Sequence, residues 1–199
     1  LNRIELPTDQ SFVGDSGYCA GSLPAAIGLA NSDVADNYYL YLDGTLIDSS
    51  VGYGASFYFG RYPDPGIYTV MAKDMTYGCS AMMTIRDSVY IKSLPNVYNV
   101  FGGGADCEAD GGLPISLDWA DSGVTYELKL DGTGAMVPLQ ATRSDTFQFG
   151  LHNIPGTYTV TATTPDGCPA DMAGSATVIV NPSPYAAAVS GGGDFCIND

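Results

Sequence analysis

The chain has 199 residues, of which 45% are hydrophobic, and its 22 acidic and 7 basic side chains give a net charge of −15 at pH 7. This charge repels nucleic acid and anionic lipid, so we expect the protein to bind neither. No run of about 20 apolar residues is present, so we expect no direct insertion into a membrane. The 25 glycines and 12 prolines are typical of a folded, turn-rich β protein.

Apolar residues alternate with polar ones along much of the chain, which predicts β-strands with one buried face. In chain order the alternating segments are 38–42, 57–59, 68–72, 89–91, 126–130, 147–149, 158–162 and 176–180. Asp43-Gly44 and Asp131-Gly132 follow two of these segments and predict hairpin turns. No amphipathic helix is indicated. Strands at roughly ten-residue spacing predict an all-β fold of two-sheet sandwiches, each of about 90 residues.

One stretch of the sequence occurs twice, as Pro65-Gly66-Ile67-Tyr68-Thr69-Val70 and as Pro155-Gly156-Thr157-Tyr158-Thr159-Val160. The cysteines keep nearly the same step: Cys19 to Cys107 is 88 residues, Cys79 to Cys168 is 89, and Cys107 to Cys196 is 89. We therefore predict a tandem array of domains. Residues 1–6 would end a preceding repeat, 7–95 and 96–184 would be whole repeats, and 185–199 would begin a third, truncated one. The joints carry proline, which favours semi-rigid spacers.

The cysteines follow the repeat, with one pair in each unit. This pattern predicts one disulfide within each domain, Cys19–Cys79 and Cys107–Cys168, and leaves Cys196 to a partner beyond the chain. Each bond would close a loop of about 60 residues, worth roughly 4 kcal/mol on the chain-entropy model. Disulfides indicate an oxidising compartment, so we expect an extracellular protein.

Two pairs of residues at the start of the repeated strand are predicted to be structural. Gly66 and Gly156 form the turn that precedes the strand, and Tyr68 and Tyr158 begin it. In a sandwich the second-to-last strand often carries a buried tyrosine whose hydroxyl is tethered to the backbone. We prefer that role for both tyrosines to a ligand contact.

The ordered set of motifs resembles a known family. It comprises Gly-Gly-Gly-x-x-Cys, Tyr-x-Leu-x-Leu-Asp-Gly, Phe-x-Phe-Gly, Pro-Gly-Thr-Tyr-Thr-Val-x-Ala, Gly-Cys and a Val-x-Val-x-Pro ending. It is similar to the tandem Ig-like (PKD-like) repeats of large Bacteroidota surface proteins, including gliding-motility adhesins of the SprB type. Asp15-Ser16-Gly17 departs from the triple glycine of the second repeat. The resemblance implies a secreted filament attached to the outer membrane surface, and it carries over no catalytic residue.

Three further hypotheses concern sites. Asp33, Asp118 and Asp121 lie between predicted strands, where converging carboxylates could bind calcium; the alternative is that they are ordinary turn residues, and no other cofactor is expected. Ser88 lies in Asp87-Ser88-Val89, which resembles the O-glycosylation pattern of Bacteroidota. Trp119 and several tyrosines, Tyr58 among them, could stack on sugars if exposed, although scattered surface aromatics are common.

The sequence indicates no enzyme, because no nucleophile elbow, phosphate loop or metalloprotease motif occurs. His152, the only histidine, is expected in a loop beside the second Pro-Gly turn. The predicted function is that of a structural repeat in an extracellular filamentous adhesin or stalk, with the neighbouring repeats of the same polypeptide as its first partners and surface glycans or other filament subunits as further ones. The alternatives are a carbohydrate- or surface-binding module, or spacer domains of a large secreted enzyme.

Overall fold

The computed structural model describes residues 5–108, 111–135 and 138–193, which form eighteen β-strands and no helix. The chain divides into two compact units. The first runs to Leu94 and also takes Asp166–Cys168, and the second comprises the rest from Pro95 onward. Since the described residues contain no helix, they also contain none that is long and apolar enough to cross a membrane.

The first unit is a sandwich of two sheets. Its strands are β1 Phe12–Gly14, β2 Gly17–Cys19, β3 Ala25–Leu29, β4 Asp36–Leu42, β5 Thr45–Val51, β6 Phe57–Tyr62, β7 Gly66–Asp74 and β8 Ser80–Lys92. One sheet has the order β1-β3-β6 and the other the order β2-β8-β7-β4-β5. Ile27 and Leu29 of the first sheet pack with Leu40 and Val70 of the second, and all four side chains are fully buried.

The second unit has the same sheet order within the described residues. Its strands are β9 Val100–Gly102, β10 Gly104–Cys107, β11 Leu113–Ala120, β12 Thr125–Leu130, β13 Thr133–Ala135, β14 Leu139–Gln140, β15 Asp145–His152, β16 Gly156–Thr163, β17 Pro169–Asp171 and β18 Ala176–Asn181. One sheet is β9-β11-β15, and the other is β10-β18-β16-β12-β13, with β14 also on β12 and β17 also on β16. Ile115, Leu117, Leu128 and Val160 form the equivalent core.

The alternating pattern in the sequence becomes the inward and outward faces of these strands. Along β12, Tyr126 and Leu128 are buried, whereas Glu127 and Lys129, which alternate with them, are partly exposed. Burying one such apolar side chain contributes about 1.5–3 kcal/mol, so the two cores are the main source of stability. The prediction of an all-β sandwich fold is confirmed.

At the start of each unit the chain passes from one sheet to the other, and a glycine lies at the point of change. In the first unit β1 pairs antiparallel with β3, after which β2 pairs in parallel with the last strand, β8. Gly14 sits at the change with φ 144°, and a Cβ there would lie 1.9 Å from the carbonyl oxygen of Ala26. Gly102 of the second unit has φ 110° and a Cβ there would lie 2.1 Å from the oxygen of Pro114. A glycine is therefore required at both positions, where two backbones approach closely.

Both predicted Asp-Gly hairpin turns are present. Asp43 and Asp131 have φ of 48° and 49°, and Gly44 and Gly132 follow with φ of 82° and 72°. Two successive positive φ values define the turn whose twist matches that of the flanking strands. The hairpins then differ within the described residues: β5 has seven residues, whereas β13 has three and β14 two, and the second unit is longer by two residues in this stretch.

The predicted end segments have no regular secondary structure where they are described. This applies to Glu5 and Leu6 and to residues 185–193. The remainder of those two segments, including Cys196, lies outside the described residues.

Each unit has an immunoglobulin-like fold. A three-stranded sheet packs on a second sheet, and the second sheet contains the parallel pair formed by a strand near the start of the unit and its last strand.

Candidate functional site

The disulfide of this chain does not follow the predicted pattern. Cys19 is bonded to Cys168, with Cα atoms 5.6 Å apart and 149 residues between them in sequence. Cys79 and Cys107 carry free thiols. The prediction of one bond inside each domain, Cys19–Cys79 and Cys107–Cys168, is therefore wrong.

The reason lies in where the fold puts the two cysteines of the first unit. Cys19 is the partner of Lys92, the last residue of β8, whereas Cys79 immediately precedes Ser80, the first residue of β8. A strand of 13 residues separates its ends by about 40 Å. A disulfide needs Cα atoms within about 7 Å, so these two cysteines cannot meet.

The predicted repeat 96–184 shows the same separation between its two cysteines, although Cys168 itself groups with the first unit. Cys107 pairs with Asn181 at the end of β18, and Cys168 precedes Pro169 at the start of β17. Because β17 and β18 lie along opposite ends of β16, about 30 Å separates the two cysteines.

The two repeated tyrosines are tethered as the sequence predicts. Tyr68 and Tyr158 are fully buried, and their hydroxyls donate to the carbonyl oxygens of Asp64 at 2.7 Å and Ile154 at 2.8 Å. Burial, with a smaller contribution from nearby Asp64, raises the pKa of Tyr68 to about 12. These hydroxyls are structural groups.

Gly66 and Gly156 support the start of the same strands. Their φ values are 154° and 150°, and a Cβ on either would lie 2.5 Å from a leucine methyl of the preceding hairpin strand. The amide after each glycine, Ile67 or Thr157, donates to the carboxylate of the hairpin aspartate, Asp43 or Asp131, at 2.9 and 2.8 Å. Turn, hairpin and core strand are thus joined in both units.

A second pair of tyrosines has a repeated tether that sequence reasoning missed. The hydroxyls of Tyr38 and Tyr126 accept the backbone N–H of Asp33 and Asp121 at 2.8 and 2.9 Å. The sequence does contain a pattern that could have predicted this tether, because the tyrosine and the aspartate each recur at a step of 88 residues.

The calcium candidates Asp33 and Asp121 occupy equivalent positions, and their carboxylates hold the segment that enters each unit. Asp33 accepts from the Thr8 hydroxyl, and Asp121 accepts from Asn96 Nδ2 at 2.9 Å and from the Tyr98 hydroxyl at 2.8 Å.

The carboxylate of Asp118 accepts two hydrogen bonds, one from the side-chain amide of Asn99 and one from the backbone N–H of Asn99. These hydrogen bonds lower the pKa of the Asp118 carboxyl. Within residues 5–108, 111–135 and 138–193, no three His, Cys, Asp or Glu side chains are grouped so that they could hold a metal ion. Calcium binding stays a prediction.

The remaining candidates differ in their surroundings. Ser88 is exposed on β8, so a modifying enzyme could reach it, and its glycosylation stays a prediction. Trp119 is 44% exposed. His152 lies at the end of β15 and packs on Tyr158 with ring centroids 5.2 Å apart, so the expected loop position is wrong.

A groove lies on the outer face of the three-stranded sheet of the first unit. Its volume is about 600 Å³, and small residues form its floor. Tyr58 and Arg61 stand beside it, the first 56% exposed and the second donating to the carbonyl oxygen of Pro24 at 2.6 Å. An aromatic ring next to a guanidinium is a combination that can contact a sugar.

No family model matches this chain, and no curated protein matches it. Solved structures with a similar fold include a calcium-stabilised adhesin by which an Antarctic bacterium binds ice, at 14% identity and a TM-score of 0.47, covering 90% of this chain and 51% of the other.

A 1.5-MDa bacterial ice-binding adhesin is similar at 16% identity and a TM-score of 0.46, covering 89% and 65% of the two chains. Fibronectin(III)-like modules of Clostridium thermocellum CbhA are similar at 16% identity and a TM-score of 0.47, covering 85% and 95%. The chain thus spans about half to two thirds of these adhesin chains, and we argue its function from its own residues.

Proposed function

We propose that this chain is a structural repeat segment of an extracellular filamentous adhesin or stalk. The observation that supports the proposal is the recurrence of one set of internal contacts at a sequence step of 88 to 90 residues. Both units have the tethered tyrosine near the start of β7 or β16, the tyrosine bound to an aspartate N–H, the Asp-Gly hairpin and the glycine where the chain passes from one sheet to the other. Such a unit is suited to being copied, and its partners are the neighbouring copies.

The chemistry of the described residues supports a scaffold role. The polar groups that recur between the units, such as Asp43 and Asp131, are engaged in hydrogen bonds that hold strands and turns together. A disulfide between Cys19 and Cys168 suits an oxidising compartment outside the cell. Attachment to a surface, and a part in gliding motility, follow from the family resemblance and belong to the proposal.

An antibody raised against this chain tests the proposal. On intact cells of the producing organism it should label filaments on the surface, and protease treatment of those cells should remove the label. A cytoplasmic marker protein, untouched by the protease, is the matched control. Antigen found only after the cells are permeabilised would contradict the proposal.

The groove beside Tyr58 favours a second candidate, a module that binds surface carbohydrate. A glycan array should then give a signal that Tyr58→Ala abolishes, while Trp119→Ala, on the second unit and outside the groove, leaves it unchanged. Loss with Trp119→Ala alone would place binding elsewhere, and an array without signal would reject this candidate. The third candidate is a spacer within a secreted enzyme. The mass of the full secreted polypeptide, and a test for hydrolase activity in it, distinguish this candidate from the adhesin segment and from the carbohydrate-binding module.

A further inference from the structure

The two cysteines of one unit lie at opposite ends of its sandwich, as shown above. Neither Cys79 nor Cys107 therefore has a possible partner within its own predicted repeat, 7–95 or 96–184. Any disulfide that they form must reach a cysteine of another repeat.

Cys107 occupies the same structural position as the bonded Cys19. Each is the last residue of the strand that runs parallel to the last strand of its unit, where Cys19 pairs with Lys92 and Cys107 with Asn181. In both units the backbone N–H of the residue after the cysteine donates to the carbonyl oxygen of the residue that pairs with the cysteine. Ala20 donates to Lys92 and Glu108 donates to Asn181, each at 3.0 Å.

Cys79 in turn occupies the position of the bonded Cys168. Each ends a Gly-Cys turn after the second-to-last strand, and the next residue pairs back on that strand, Ser80 with Lys73 and Pro169 with Thr163. The observed disulfide joins a cysteine at the end of a parallel strand to a cysteine in a Gly-Cys turn. Of the two free cysteines, Cys107 occupies the first kind of position and Cys79 the second.

A recess beside Cys107 provides the space for a partner. It has a volume of about 430 Å³ and is lined by Asp106, Cys107, Glu108, Asn153, Pro155, Val180 and Pro182. The turn that carries the bonded partner is small: Asp166–Cys168 groups with the first unit, and the Cys168 side chain is fully buried.

We propose that Cys107 and Cys79 are cross-linking sites, and that disulfides in this protein join each repeat to the next. Cys107 bonds to the cysteine of the Gly-Cys turn of the following repeat, and Cys79 bonds to the cysteine that ends the parallel strand of the preceding repeat. With the observed separation of 149 residues, the partners fall at 107 + 149 = 256 and 79 − 149 = −70, outside the 199 residues. The inference rests on the proposed tandem array.

Bond formation removes two protons and two electrons from a pair of thiols. A small disulfide such as oxidised glutathione accepts both: one cysteine thiolate attacks it and releases one glutathione thiol, and the second cysteine thiolate then displaces the other. The products are one protein disulfide and two reduced glutathione molecules.

Peptide mapping without reductant tests the pairing in this chain. After refolding with glutathione and alkylation, trypsin with an Asp-specific protease puts the five cysteines on separate peptides. The expected result is a Cys19–Cys168 peptide pair with alkylated Cys79 and Cys107. Cys168→Ser should then leave Cys19 alkylated, whereas peptide pairs Cys19–Cys79 and Cys107–Cys168 would overturn the proposal.

A longer chain in which residues 96–184 are duplicated in tandem tests the cross-link itself. Cys107 of the first copy should now resist alkylation and be bonded to Cys168 of the second copy. Replacing Cys168 by Ser in the second copy alone should free that Cys107 and leave Cys19 bonded. If Cys107 of the first copy stays alkylated in the unmodified duplicate, the proposal fails.

These outcomes are independent of where the natural protein resides. A chain that labels on the cell surface but maps with bonds inside each repeat would retain the proposed function and lose this inference. A chain confined to the cell interior that still cross-links in the duplicate would do the reverse.

Discussion

Asp36 is a carboxylate where the second unit has an apolar side chain. It is 5% exposed at the start of β4, and Val124 occupies the equivalent position with 6% exposure. Burial, followed by repulsion from Asp33 and Asp74, raises the pKa of Asp36. The folded state therefore binds a proton here more tightly than the unfolded state, and the stability that this proton provides is lost as pH rises through the raised pKa.

Replacing Asp36 by valine should stabilise the first unit at neutral pH. We expect a gain of roughly 1 kcal/mol, or about 4–8 °C in Tm for a domain of this size, because a buried charge is removed. Below the ordinary aspartate pKa of about 3.9 the gain should shrink, since the carboxyl is protonated in both states. Calorimetry at pH 7 and pH 3 measures this, with Asp36→Asn as the uncharged control of similar shape. An equal gain at both pH values would contradict the assignment.

The Tyr68 hydroxyl stabilises the fold through one buried hydrogen bond. Tyr68→Phe leaves the Asp64 carbonyl without its donor and should cost about 1–2 kcal/mol at pH 7. Because the pKa of Tyr68 is raised to about 12, its contribution is complete below pH 10 and is lost as pH rises through 12. The difference between wild type and variant in urea unfolding should therefore narrow above pH 10. Tyr58→Phe, which alters an exposed tyrosine, should change nothing at either pH.

At the scale of elements, the first strand of each unit depends on the glycine at which it changes sheets. Gly102→Ala would place a methyl group 2.1 Å from the carbonyl oxygen of Pro114, so the backbones of β9 and β11 must separate. We expect a loss of about 2–4 kcal/mol, and the same for Gly14→Ala in the first unit. Gly60→Ala is the control, because a Cβ there meets only the Tyr62 ring at 3.6 Å or more. Chemical denaturation gives the values, and a Gly14 variant as stable as the Gly60 variant would refute the requirement.

Local elements were predictable from the sequence, whereas the partners of the cysteines were not. Alternation marks β12 and β16, and Asp-Gly marks the hairpins, because each is decided by neighbouring residues. The pairing of Cys19 depends on β2 lying in parallel along β8, a contact between segments about 70 residues apart. Equal spacing of cysteines indicates a repeat, but it does not state which end of a sandwich each cysteine occupies.

The acidic sites show the same limit of sequence patterns. Asp33 and Asp121 attracted a calcium hypothesis because several carboxylates lie close in sequence. Their hydrogen bonds to Thr8 and to Asn96 give them a second role that only the folded chain reveals.

At the scale of the whole molecule, we expect its Tm to be the same in calcium and in a chelator. The carboxylates of Asp33, Asp118 and Asp121 already accept hydrogen bonds from protein donors. Scanning calorimetry of the intact chain under both conditions checks this. A rise in Tm with calcium that Asp118→Asn abolishes, and Asp87→Asn retains, would instead establish a site at these residues.

The parallel pairing of β2 with β8 and of β10 with β18 decides how each unit responds to tension. When the Cys19–Cys168 disulfide is formed, it carries a pull on the chain ends past the residues between the two cysteines, which include β8 and β10. When the disulfide is reduced, the same pull loads β2 against β8 and β10 against β18 and slides the paired strands past each other. The hydrogen bonds between them are then loaded together in shear instead of opening one after another. The disulfide and the parallel strand pairs are thus two separate means of opposing extension, the first covalent and the second made of hydrogen bonds.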